Sequence, residues 1–230
     1  MTRVGLYGGS FNPIHLGHLR TAVEVRAAAQ LDEIWLMPAH HPPHKDANEI
    51  APASDRLAMV EASIADAAGL RAEPIELERS GPSYSIDTLR LLKERHPTTK
   101  FALILGFDAF RELHTWHEHR KLVNECDFIV TTRPPQTVTQ GENPELFAAL
   151  PIAVTDGFCY DSSVVCYVNE SGHRLEFLPV TQLEISASQL RADVASGSSI
   201  RFLVPGTVEE YIAERGLYAS GRTENPIQKP

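Results

Sequence analysis

Short apolar runs alternate with helical patterns through the first half of this chain, and that alternation limits the fold more than any other feature. Val4 to Tyr7, "EIWLMP" (Glu33 to Pro38), "FALIL" (Phe101 to Leu105) and "DFIVT" (Asp127 to Thr131) each read as a buried strand. "FALIL" is the strongest candidate for the centre of a sheet. A first helix is expected from Leu16, with Leu19, Val23 and Ala27 at helical spacing. A second is capped by Ser54 and carries Leu57, Val60, Ile64 and Ala67 on one face. Ile86, Leu89 and Leu92 mark a third, which ends near His96-Pro97. "RAEPIEL" is a weaker strand that Pro74 confines to an edge or a bulge. Strands alternating with helices predict βαβ units, a mainly parallel sheet and the α/β class.

The pattern weakens between Pro134 and Arg174, where "CYDSSVVCYV" reads as one extra strand. "LEFLP" (Leu175 to Pro179) resumes it. "ISASQLRADVASG" then opens a helix with Ser186 or Ser188 near its cap and Gly197 near its end. "VPGTVEEYIAERGLY" adds a last short helix, so a small helical piece closes the domain. The expected organisation is one domain over residues 1–220, with 134–174 as an insertion and 221–230 as a flexible tail.

A formal net charge of −9 argues against a broad nucleic-acid surface or an anionic-membrane surface. Cys126, Cys159 and Cys166 are odd in number and lack paired metal spacing, so no disulfide framework is expected. No apolar run is long enough to span a bilayer, and the start lacks the pattern of a signal peptide. A cytoplasmic protein with small-molecule partners is the simplest expectation, and a homo-oligomer is compatible with it.

Ligands on parallel sheets bind beyond the carboxyl ends of the strands. The chemically informative segments fall there: "GGSFNPIHLGH" after the first strand, "MPAHHPPHK" after the second, "GFD" after "FALIL" and "TRP" after "DFIVT". Gly8 and Gly9 let the backbone turn sharply, although their spacing is not the G-x-G-x-x-G of dinucleotide sites. His15 and His18, three apart at a helix start, suit an anion held by imidazole donors and unpaired N–H groups. His40, His41 and His44 suggest a zinc site, but no Cys accompanies them and the spacing is not that of a zinc finger.

"GGSFNPIHLGH" resembles the G-G-[ST]-F-D-P-x-H-x-G-H signature of nucleotidyltransferases related to class I aminoacyl-tRNA synthetases. "ISASQLR" resembles their late I-S-[SA]-[ST]-x-[IL]-R motif. "PPHK", "PSYSIDTL", "GFDAF", "TWH" and "RP" follow in the order seen in bacterial nicotinate-nucleotide adenylyltransferases. The resemblance runs from about Val4 to Tyr218. It implies a Rossmann-like nucleotidyltransferase fold and transfer of AMP from ATP to nicotinate mononucleotide, giving deamido-NAD and pyrophosphate.

The same resemblance implies roles for particular residues. His15, His18, Lys45 and Arg191 would carry the chemistry, with His18 nearest the transferred phosphate. Gly8, Gly9, Ser10, Phe11, Gly106, Asp108, Arg133 and Ser188 would join them around ATP, Asp108 at ribose hydroxyls and Ser188 with Arg191 at the β and γ phosphates. His44, Lys45, Ser85, Ile86, Trp116 and His117 would hold the mononucleotide. There Trp116 stacks on the pyridine, and backbone N–H groups near Ile86 and His117 receive the carboxylate. Mg²⁺ would be the cofactor, bound through phosphates and water with no protein ligand set. Asn12 stands where the family usually has aspartate, and Ala39 and His40 where asparagines are often seen. Related activities are an amide-preferring or dual-specificity enzyme and a pantetheine-phosphate enzyme. A nucleotide-binding sensor without turnover is the alternative from another class.

Overall fold

The computed structural model describes residues 1–40, 50–79, 81–132 and 142–219. The apolar runs become strands and the periodic segments helices, in alternation: β1 (Thr2–Gly9), α1 (Leu16–Ala28), β2 (Glu33–Pro38), α2 (Ala53–Ile64), β3 (Leu70–Ala72), α3 (Ser85–Arg95) and β4 (Thr99–Gly106). Short helices α4 (Phe107–Arg111) and α5 (His119–Leu122) lead to β5 (Asp127–Thr132). Two more short helices, α6 (Pro144–Ala148) and α7 (Ile152–Thr155), precede β6 (Cys159–Asp161), β7 (Cys166–Val168) and β8 (Arg174–Pro179). The helices α8 (Ala187–Ala195) and α9 (Gly206–Glu214) close the described chain.

The strands form one sheet in the order β3-β2-β1-β4-β5-β8-β7-β6. Every pair from β3 to β8 is parallel, while β6 and β7 pair antiparallel with each other and β7 with β8. "FALIL" lies in β4, between β1 and β5, as its unbroken apolar character requires. Strand order reverses between β1 and β4, so a crevice opens at their carboxyl ends, where "GGSFNPIHLGH" and "GFD" begin.

Alternate strand residues bury opposite faces. Val4, Leu6, Met37, Leu103 and Val130 pack with Leu89 and Leu92 of α3. Ile34, Ala102, Ile104 and Ile129 pack with Ala22 and Val25 of α1. A third cluster joins Met59, Val60 and Ile64 of α2 to Leu190, Val208 and Ile212 of the last two helices. Gly5 makes the α1 side tight: a Cβ there would lie 2.7 Å from Ile104 Cδ1 and 2.8 Å from Leu31 Cδ1.

Several expectations are corrected by packing. The buried residues of α1 are Ala22 and Val25, followed by Ala29 at the C-cap, and Val23 is half exposed because it falls on the other side of the helix from them. Ser54 does not cap α2; the cap position is Pro52 and Ser54 lies inside the first turn. The "CYDSSVVCYV" segment is a hairpin of two strands, turned at the solvent, and it extends the sheet. Among the described residues no helix is long and apolar enough to cross a membrane. The tail residues 221–230 lie outside the described residues.

Candidate active site

The loop after β1 is shaped by its own sequence. Phe11 takes φ 42°, Asn12-Pro13 is a cis peptide, and α1 starts at Leu16 with His15 as its cap residue. His18 is the third residue of the helix. The backbone N–H of His15 donates to His18 Nδ1 at 3.3 Å, so the neutral ring carries its proton on Nε2. The two imidazoles stack with centroids 3.7 Å apart, and the Phe11 ring meets His18 edge-on at 5.2 Å. Phe11 is itself buried in the core, so its side chain is a support and only its backbone can meet a ligand.

His15 and His18 line a cavity of about 470 Å³ together with Tyr7, Gly17, Thr21 and the 180–186 segment. The helix start does not offer it four open amides, because Leu16 N–H donates to Leu203 O at 3.0 Å and His18 N–H to His15 O at 3.0 Å. Fewer backbone donors are therefore open at this helix start than the sequence pattern implies. Ser186, not Ser188, is the cap residue of α8 and lines this cavity, while Ser188 is the second helical residue and exposed.

A second cavity, of about 190 Å³, is lined by Gly8 and Gly9. Ser10, Ser85, Trp116, Thr88 and Glu76 are among its walls. Ile86 packs its side chain into the core and does not line the cavity, whereas its neighbour Ser85 does. His117 is exposed, stacks on Tyr84 with centroids 4.3 Å apart, and does not line the cavity. At the end of β4, Gly106 faces open space where a Cβ would meet nothing, and exposed Asp108 lies in the first turn of α4 without capping it. Neither belongs to the two cavities. His44, Lys45 and Arg133 lie outside the described residues.

Two arginines hold the loop carbonyls. Arg191 Nη1 donates to Asn12 O at 3.0 Å, so the late motif touches the first loop directly. Arg56, buried to 1% exposure, donates from Nε to Ala51 O at 3.0 Å, from Nη1 to Ser10 O at 2.9 Å and from Nη2 to His40 O at 3.3 Å. A peptide's C=O and N–H point opposite ways, so drawing Ser10 O inward turns the Phe11 N–H outward. Asn12 Oδ1 accepts from Ala51 N–H at 3.0 Å and from Tyr218 O–H at 2.8 Å. Burial pushes the Tyr218 hydroxyl above the usual tyrosine range, which keeps it a donor. A neutral amide thus fills the place of the family's aspartate, with its one oxygen fully used.

Arg56, Tyr218, Glu76 and Thr88 were missed from sequence. One signal for Arg56 was readable: it stands four residues before Val60 and eight before Ile64, in phase with the apolar stripe of α2. Removing it strands three carbonyls. Arg56→Ala should lower stability by at least about 3 kcal/mol, or roughly 6–12 °C in Tm, measured by thermal unfolding. An unchanged Tm would mean that the three carbonyls find other donors.

A family model described as cytidylyltransferase-like matches residues 6–201. A protein of Citrifermentans bemidjiense named probable nicotinate-nucleotide adenylyltransferase is 43% identical over 96% of this chain and 100% of its own length. One of the same name from Pseudomonas fluorescens is 42% identical over 94% of this chain and 97% of its own. Among solved structures, the nicotinic acid mononucleotide adenylyltransferase of Plasmodium falciparum complexed with NaAD has the same fold, with a TM-score of 0.71 at 20% identity. That match covers 95% of this chain and 98% of the other.

Proposed function

The chain belongs to the cytidylyltransferase-like family and, by identity over nearly its whole length, to the nicotinate-nucleotide adenylyltransferases, and from that premise we propose that it joins ATP to nicotinate mononucleotide. The products are deamido-NAD and pyrophosphate, a step of NAD biosynthesis. The observation that carries this reading at the site is that the loop and helix start after β1 serve two cavities, one lined by the stacked His15 and His18 and one lined by Gly8, Gly9 and Trp116.

An oxygen of the mononucleotide phosphate attacks the α-phosphorus of ATP as the bond to pyrophosphate breaks. Two anions must be brought into line, so positioning and charge stabilisation supply the catalysis without a covalent enzyme intermediate. His18 Nε2–H donates to the transferred phosphoryl group, and the loop amides set by Arg56 add fixed dipoles. Arg191, anchored on Asn12 O, brings its charge to the β and γ phosphates. Lys45 and His44 add charge from the second loop, and Arg133 adds it near the adenylate. The described residues contain no group of three or more His, Cys, Asp or Glu able to hold a metal, and Asn12 Oδ1 is already taken by two donors. By the family resemblance Mg²⁺ would enter with ATP and would neutralise part of the polyphosphate charge beside His18 and Arg191.

Purified protein with ATP, Mg²⁺ and a panel of phosphorylated acceptors tests the assignment. Nicotinate mononucleotide should give a dinucleotide product by mass together with pyrophosphate. Pyrophosphate release with none of the acceptors would leave a nucleotide-binding protein without turnover. Arg191→Ala should lower kcat/KM for ATP about 10- to 150-fold, the value of a charge-assisted bond, with much less change for the mononucleotide. Equal values for mutant and wild type would remove Arg191 from the phosphate site.

A further inference from the structure

Among the described residues, Glu76 is the one acidic or basic side chain lining the cavity that holds Trp116 and Ser85. It is 9% exposed. Thr88 Oγ1 bonds Glu76 Oε1 at 3.0 Å, and the Ser83 hydroxyl bonds the same carboxyl. Ser83 Oγ in turn accepts the His40 N–H at 3.3 Å. Further walls of the cavity are Met37, Leu89, Leu103 to Leu105 and Trp116, and among the described residues the cation acting on Glu76 is Arg79, which pairs with Asp87 at 3.6 Å. His117, stacked on Tyr84, does not line the cavity. A lone carboxyl in the wall of a site meant for an acidic ring is a conflict unless its charge is controlled.

We propose that Glu76 determines the charge selectivity of the acceptor cavity: as a neutral acid shared between Ser83 and Thr88 it admits a carboxylate-bearing ring, and once ionised it repels one. The inference rests on the acceptor being nicotinate mononucleotide. Burial pushes the Glu76 carboxyl above the usual carboxylate range, and the Thr88 and Ser83 hydroxyls and Arg79 pull it part of the way back. Ionisation therefore sets in as pH rises, and acceptor binding weakens in that direction.

The test is KM for nicotinate mononucleotide and for ATP, from mildly acid to mildly alkaline pH, in wild type, Glu76→Gln and Thr88→Val. Wild type should lose acceptor affinity about tenfold as Glu76 ionises, with KM for ATP following no such step. Glu76→Gln, neutral throughout, should lack that step. Thr88→Val removes a hydroxyl that favours the ionised form, so the step should move to higher pH. A wall with a purely structural role would shift neither profile. Thermal stability gives a second readout. A carboxyl that binds its proton more tightly when folded contributes stability that is complete at low pH and is lost as pH rises through its folded value, and Glu76→Gln should abolish that loss. Superimposable KM profiles for wild type and Glu76→Gln would overturn the inference while leaving the activity in place. A wild type that does not use nicotinate mononucleotide would overturn the functional reading, and this inference with it.

Discussion

His18→Ala is expected to lower kcat by about 10²–10³-fold while the protein stays folded. The ring sits at the third position of α1, with Nδ1 committed to the His15 N–H and its faces held by His15 and Phe11. That arrangement fixes the tautomer and the direction of Nε2–H before ATP arrives, so little reorganisation is needed as charge develops on the phosphoryl group. The mutant loses the donor and one partner of a stacked pair. Its helix keeps the Leu16 bond to Leu203 and the buried contacts of Ala22 and Val25. Steady-state kinetics with circular dichroism check it. Near-normal turnover in a folded mutant would place transition-state stabilisation elsewhere.

Preference for the acid mononucleotide over its amide should reach at least about 100-fold in kcat/KM. Ser85 and Ile86 are the first two residues of α3, whose N–H groups have no partner within the helix, and Ser85 lines the cavity. A carboxylate accepts two such bonds and gains from the positive end of the helix, whereas an amide must turn an NH₂ toward one donor. A mispaired group costs roughly 1–3 kcal/mol, and the lost charge adds to that. Parallel assays with the two acceptors measure it. Equal values would make this a dual-specificity enzyme.

The amino-acid sequence by itself determined the class of fold and the placing of its motifs at the strand ends. Unbroken apolar runs can be buried on both faces only in a parallel sheet, and the helical patterns between them give the crossovers, so β1, β2, β4 and β5 were legible. The motifs at their carboxyl ends were legible for the same reason: Gly8, Gly9, His15 and His18 follow a strand and open a helix. Local signals failed where a residue's role depends on partners far along the chain. For α8 the sequence left both Ser186 and Ser188 open as the cap, and the turn before the helix decides for Ser186. The segment after Asp156 was too short and too polar to read as a hairpin until β8 offered it an edge to pair with. Arg56 is bound to carbonyls up to 46 residues away, and Tyr218 reaches Asn12 across 206. Such bonds depend on which buried carbonyls and amides lack partners after the elements have packed, so only the tertiary structure decided that Arg56, Arg191 and Tyr218 hold the loop before the histidines.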